Sequence, residues 1–160
     1  MADPVVLVVD VGGNHVKLLT SNATERRRFE TGPGFTPTKL IAGIQANTEG
    51  WSWDVASVGF PTPVKNGKLV REPINLGSGW VEFDFEGEFG VPTKVVNDAA
   101  MQALGSYEGG SMLFLGLGTG LGSTLIVDGT IAPFELGHLP FRRKTYEDYV
   151  GTRGLETKTS

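Results

Sequence analysis

Three groups of residues in this sequence have the types and spacing that chemistry needs. The first is an acid. Asp98 follows Asn97 where the strand-like segment Thr93–Asn97 ends and a segment of helical character begins. The carboxyl end of a strand in an open α/β sheet is where ligands bind. A carboxylate there can accept the proton of an attacking hydroxyl, as phosphoryl transfer requires. It can equally cap a helix, because Asp and Asn are favoured caps.

The second group is glycine. Asp10-Val-Gly-Gly-Asn-His-Val-Lys17 puts Gly12 and Gly13 directly after an apolar run. Glycine lets a backbone turn sharply and lets amide groups approach an anion. Asn14 can bond an oxygen or a turn amide, and Lys17 can supply positive charge. Asp10 suits an outer-shell contact to Mg²⁺, which keeps most of its waters. An ordinary Gly-Gly hairpin is the competing reading. Gly116-Leu-Gly-Thr-Gly-Leu-Gly-Ser123 is more specific, with four glycines between two apolar runs. No long helix follows it, so it is not a dinucleotide fingerprint. No Gly-Lys-Ser/Thr follows either, so it is not a Walker loop. An anion-binding hairpin fits better than a merely flexible one, because glycine inside strands is costly.

The third group could hold a polyol. Glu135-Leu-Gly-His138 offers a carboxylate and an imidazole, which can bond adjacent hydroxyls. Zinc lacks ligands here: the chain has no Cys and one other His, His15. The long stretch 61–80 carries Asn75 and Trp80, and loops of that length are often functional. Trp80 could lie against a sugar face or anchor the loop.

Local patterns then say which elements must position these groups. Val5–Asp10, His15–Thr20 and Glu25–Glu30 read as an antiparallel meander. Thr36-Pro37 opens a helix that runs to Glu49-Gly50. Val55–Phe60 is a strand, with a small hairpin expected at Lys65-Asn66-Gly67-Lys68. Glu82–Phe89 reads as a short helix, Thr93–Asn97 as a strand and Asp98–Tyr107 as a helix. Met112–Gly116, Ser123–Asp128 and Thr130–Pro133 follow, with Asp128-Gly129 as a turn. Thr145 and Asp148 form a capping box for a helix Tyr146–Val150. The strand, glycine turn, strand order of residues 5–20 recurs at 112–128.

Composition bounds the answer. Hydrophobic residues make up 39% and charged residues 20%, which suits a folded soluble chain. The net charge of −4 points away from a nucleic-acid partner, since such binders are more often basic. The clusters Arg26-Arg27-Arg28 and Arg142-Arg143-Lys144 read as solvated faces. No apolar run approaches the roughly 20 residues of a membrane span. Val5–Val9 is too short for a signal-peptide core. The lack of Cys fits a cytoplasmic location.

Taken together and in order, these motifs resemble the ROK sugar kinases, nearest to their polyphosphate glucokinase branch. The motifs are Asp10–Lys17, Gly59-Phe-Pro61, Asn75-Leu-Gly-Ser-Gly-Trp80, Val96-Asn-Asp-Ala99, Gly116–Ser123 with Asp128-Gly129, and Glu135–His138. The likeness runs over residues 5–156. It implies an α/β fold of the actin-like ATPase (ribonuclease H-like) class. It implies a complete N-terminal lobe, 1–110, and the beginning of a shortened second lobe, 111–160. It further implies phosphoryl transfer to the 6-hydroxyl of glucose or a related hexose, with Mg²⁺ and with polyphosphate or ATP as donor. Asp98 would be the base. Asn75, Asn97, Glu135 and His138 would contact the sugar. Asp10, Gly12, Gly13, Asn14 and Lys17 would form one phosphate loop, and Gly118, Thr119 and Gly120 the other. A homodimer is compatible with this pattern. The cysteine-rich zinc motif of many ROK proteins is absent, as in the polyphosphate branch. Thr62 stands where that branch often has Gly, and His15 is unusual in its loop. Family members also continue well past 160 residues, so a non-catalytic sugar-binding remnant, or a fragment with an unfinished lobe, is the alternative.

Overall fold

The computed structural model describes residues 2–152 and 154, apart from 119, 133 and 134. The chain divides into two compact units, Met1–Asp98 and Ala99–Ser160.

The first unit is built on a mixed five-stranded sheet. Strands β1 (Val6–Val11), β2 (His15–Thr20) and β3 (Arg27–Glu30) form the expected meander. Strands β4 (Val55–Phe60) and β7 (Thr93–Asn97) run parallel to β1, giving the order β3-β2-β1-β4-β7. Alternation decides the faces. Leu7, Val9 and Val11 of β1, Val16 and Leu18 of β2, and Ala56, Val58 and Phe60 of β4 are buried. Leu40 and Ile44 of helix α1 (Pro37–Asn47) join the same core. Pro stands at the start of α1 as expected, while the Thr36 side chain makes no capping bond. Helix α2 (Phe85–Phe89) starts three residues later than its sequence suggests. The cause is Asp84, whose carboxylate accepts from the amide of Gly87 and so fixes the first turn.

The stretch between β4 and α2 is not structureless. Strands β5 (Val64–Lys65) and β6 (Lys68–Leu69) form the small hairpin. Asn66 and Gly67 both have positive φ, 52° and 74°, as a primed hairpin turn requires. At the far end of the stretch Trp80 is fully buried among Phe35, Phe60 and Phe83. Its ring anchors the loop and offers no face to a sugar. That settles the choice that its sequence left open.

The second unit holds α3 (Asp98–Gly105) from its second residue, a sheet ordered β10-β9-β8, a small hairpin, and α4 (Tyr146–Val150). The strands are β8 (Ser111–Leu117), β9 (Leu121–Val127) and β10 (Thr130–Ala132); the hairpin is β11 (Pro140–Phe141) with β12 (Lys144–Thr145). The expected capping box between Thr145 and Asp148 opens α4. β8 and β9 run further into the glycine stretch than their apolar residues alone suggest. Gly116 pairs with Gly122, and Leu117 with Leu121. A side chain at Gly122 would come within 3.2 Å of Ala99, so the strand passes close under α3 there.

Among the described residues β8 has β9 on one side and no strand on the other. Leu113, Leu115 and Leu117 stand exposed along it, at 50%, 47% and 69%. Such an edge is a template for association. The 160-residue chain should therefore self-associate, and replacing Leu115 and Leu117 by Lys should shift its light-scattering mass toward a single chain. A parent chain that stays monomeric would count against this stripe as a contact surface. Among the described residues no helix is long and apolar enough to cross a membrane.

Candidate functional site

The residues singled out by sequence fall into two clusters, one in each unit. In the first unit the sheet register aligns three parallel strand ends. Asp10 of β1 lies opposite Gly59 of β4, and Gly59 lies opposite Val96 of β7. One step on, Phe60 pairs with Asn97, and Asp98 follows as the first residue of α3. Parallel pairing thus brings Asp10, Asn97 and Asp98 to the carboxyl end of one sheet. Asn97 and Asp98 are both half-buried.

The turn after β1 is braced from two directions. Within it, the Gly12 amide donates to the His15 carbonyl at 2.9 Å. From the end of β3, the Thr31 hydroxyl donates to the Gly12 carbonyl at 2.8 Å, and the Thr31 amide to the Asn14 carbonyl at 2.9 Å. Asn14 is exposed at the tip. Asp10 and Lys17 are cross-strand partners, and Lys17 Nζ lies 3.3 Å from Asp10 Oδ2. Lys17 is 61% exposed and Asp10 18%, so the cation reaches solvent while the carboxylate stays near the sheet. An exposed pair of this kind contributes little to stability, about 0–1 kcal/mol, so its use is in the charge it presents.

The 61–80 loop folds over this turn. Gly13 and Asn75 are neighbours: a Cβ on Gly13 would lie 3.6 Å from that of Asn75. Both line a small pocket of about 110 Å³ with Pro61, Thr62 and Glu72. Asn75 is exposed, between the buried Pro73 and Leu76. Gly77 must be glycine here, since its amide donates to the Phe35 carbonyl at 2.8 Å and a Cβ would come within 2.9 Å of that oxygen. Asn97 enters the same network, its Nδ2 donating to the Thr62 carbonyl at 3.5 Å. Buried Thr62 in turn donates its hydroxyl to the Arg71 carbonyl at 3.1 Å.

In the second unit the glycine hairpin is tighter than its sequence implies. Its tip is residues 118–120, and Thr119 lies outside the described residues. The Gly118 amide donates to the Gly120 carbonyl at 3.1 Å. The Leu121 amide donates to Glu147 of α4 at 3.2 Å, and a Cβ on Gly120 would run into that same carboxylate. Thr152 closes the tip from below, donating both its amide and its hydroxyl to the Gly118 carbonyl. The amides of Gly118 and Leu121, on either side of the tip, are therefore engaged inside the chain, which limits what this hairpin can offer an anion. Glu135 and His138 do meet: His138 Nδ1 lies 3.4 Å from Glu135 Oε2, and both side chains are mostly exposed. Their loop is fixed where the Leu136 amide donates to Ser123 Oγ at 2.8 Å. A carboxylate and imidazole so held can bond neighbouring hydroxyls.

Among the described residues no three His, Cys, Asp or Glu side chains gather in a metal-holding group. Mg²⁺ does not need such a cage, because it binds through one or two carboxylates, waters and substrate phosphates. The part-buried Asp10 carboxylate beside the glycine turn fits that demand. Sequence reasoning missed Thr62 as a brace, and Glu72, Glu147 and Thr152 altogether. Their roles depend on side chains folding back onto distant backbone, and no spacing rule signals that.

No family model matches the chain. The polyphosphate glucokinase of Mycobacterium tuberculosis is 28% identical over 160 residues, spanning 88% of this chain and 60% of that enzyme. The chain thus spans about half to six-tenths of the length of the curated relatives it matches. Among solved structures, an inorganic polyphosphate/ATP-glucomannokinase from Arthrobacter sp. strain KM superposes with a TM-score of 0.76 at 25% identity. That match covers 98% of this chain and 72% of that one. A ROK family glucokinase from Streptomyces griseus, in complex with glucose and AMPPNP, gives a TM-score of 0.77 at 19% identity, covering 94% of this chain and 58% of that one.

Proposed function

We propose that this chain, which resembles the ROK-family sugar kinases in sequence and in fold, carries the hexose site and phosphate loops of a glucokinase-type enzyme. The observation that carries the reading is that Asp10 of β1 and Asn97–Asp98 at the end of β7 come to the carboxyl end of one parallel set, with β4 between them. The strand order β3-β2-β1-β4-β7 supports reading the first unit as the ribonuclease H-like lobe of an actin-like ATPase.

In this reading Asp98 takes the proton of the hexose 6-hydroxyl as its oxygen attacks the donor's terminal phosphorus. The bond between that phosphorus and the rest of the donor breaks, and the shortened donor leaves with the electron pair. Asn75, Asn97, Glu135 and His138 hold the sugar's other hydroxyls and orient the one that reacts. The Gly12-Gly13-Asn14 turn and Lys17 meet the donor's phosphates, with Gly118, Thr119 and Gly120 as the second contact. Asp10 would hold Mg²⁺ through water, and the ion, when bound, neutralises charge on those phosphates. Either polyphosphate or ATP can serve a site that grips phosphates rather than a base.

The test is hexose 6-phosphate formation by this chain with polyphosphate and, separately, with ATP. Product with at least one donor is the expected result. A second reading, a sugar-binding remnant without catalysis, is favoured by the engaged amides of Gly118 and Leu121. It predicts hexose binding and no product with both donors.

A further inference from the structure

We propose that Glu72 is a positioning residue for Asn75: its carboxylate fastens the two ends of the loop that carries the asparagine. The proposal rests on the reading that Asn75 contacts the sugar. Glu72 Oε1 accepts from the Gly79 amide at 3.1 Å, the Trp80 amide at 3.2 Å and the Val81 amide at 3.4 Å, and Oε2 also accepts from Trp80 at 3.1 Å. Three successive amides converge on one carboxylate. Charge-assisted bonds of this kind are stronger than neutral ones, and consecutive backbone N–H groups make a natural anion cradle.

The arrangement answers two questions. The first is how an exposed Asn75 keeps its place beside Gly13. Its flanks, Pro73 and Leu76, are buried, and Gly77 is tied to Phe35, but Val70, Arg71, Glu72 and Ile74 are exposed. Glu72 joins this more exposed side of the arch, tied to Thr62 through the Arg71 carbonyl, to the side anchored by the buried Trp80. The second question is how a carboxylate is tolerated in a pocket it shares with Gly13, where phosphate should bind. Its negative charge is directed into the three amides and away from the anion.

Asn75 then binds in proportion to the time its loop spends in the right shape. If losing the staple leaves that shape populated about a tenth of the time, apparent affinity falls about tenfold. The experiment titrates glucose by calorimetry into the parent, Glu72→Ala, Glu72→Gln, Asn75→Ala and the Glu72→Ala/Asn75→Ala double variant. Turnover is followed alongside. Glu72→Ala should bind glucose about tenfold more weakly, raising KM with kcat nearly unchanged. Glu72→Gln, which keeps one acceptor oxygen, should recover most of the loss. The double variant should be no weaker than Asn75→Ala, because Glu72 acts through that residue. Amide exchange over residues 79–81 should quicken in Glu72→Ala. Parent-like binding by Glu72→Ala, or additive losses in the double variant, would overturn the proposal and leave the kinase reading intact. A parent that binds no hexose would overturn the kinase reading, and this proposal with it.

Discussion

Replacing Asp98 with Asn lowers phosphoryl transfer by about a hundredfold or more, the usual range for a lost general base, and leaves hexose binding close to that of the parent. Asparagine is the informative substitution. It keeps the shape of the side chain and caps a helix as well as aspartate does. Asp98 opens the eight-residue α3, so a purely structural role predicts that Asp98→Asn changes almost nothing. A role in accepting the hydroxyl proton predicts loss of turnover alone. The two explanations left open by the sequence therefore give opposite results with one variant. The measurements are product formation with each donor, glucose calorimetry and a thermal melt. Turnover within about threefold of the parent would remove Asp98 from the chemistry, since base catalysis is expected to contribute far more.

Trp80→Ala is the second large effect, and it falls on stability. Removing a buried Trp costs about 3–5 kcal/mol, from lost transfer energy and the cavity left behind. Whole domains are stable by only about 5–15 kcal/mol, so the first unit should stand near the edge of unfolding. Trp80 is fully buried, with ring centroids 4.7 Å from Phe60 and 5.9 Å from Phe35. Trp80→Phe should cost much less. The indole Nε1 is buried without a hydrogen-bond partner among the described residues, and an unsatisfied donor carries a penalty of about 1–3 kcal/mol that Phe does not incur. Urea unfolding followed by the emission of Trp51 and Trp53, both packed against the same core, reads the first unit directly. Equal losses in the Ala and Phe variants would mean that the indole nitrogen has no such cost.

Much of this molecule is legible in its sequence, for reasons that differ by element. The strands of the first unit announce themselves by alternation, and Asn66-Gly67 by the φ values that only such a pair adopts easily. Thr145 and Asp148 are close in sequence, so their capping box needs no tertiary context. The strand-end placement of Asp10, Asn97 and Asp98 follows once the strands are known. What remained illegible is non-local. The sequence cannot say whether Trp80 faces a ligand or the core, because both demand the same residue. It does not show that the ladder runs past Gly116 to Leu117 and starts again at Leu121 and Gly122, where the strand lies close to Ala99 of α3. Glu72 gives no local sign of its partners seven to nine residues away.

The 61–80 stretch shows what those partners do to chain statistics. Twenty residues of open loop would carry a large closure entropy and many competing shapes. Two side chains, those of Thr62 and Glu72, cut the stretch into rings that meet at Arg71 and Glu72. One runs from Thr62 to Arg71, nine residues apart; the other runs from Glu72 to Trp80, eight apart. The longest free path in the region is thereby roughly halved. An insertion within one ring would loosen that ring and leave the other closed, so a change in length within 63–70 should leave the shape of the ring that carries Asn75 closer to its own than one within 73–78.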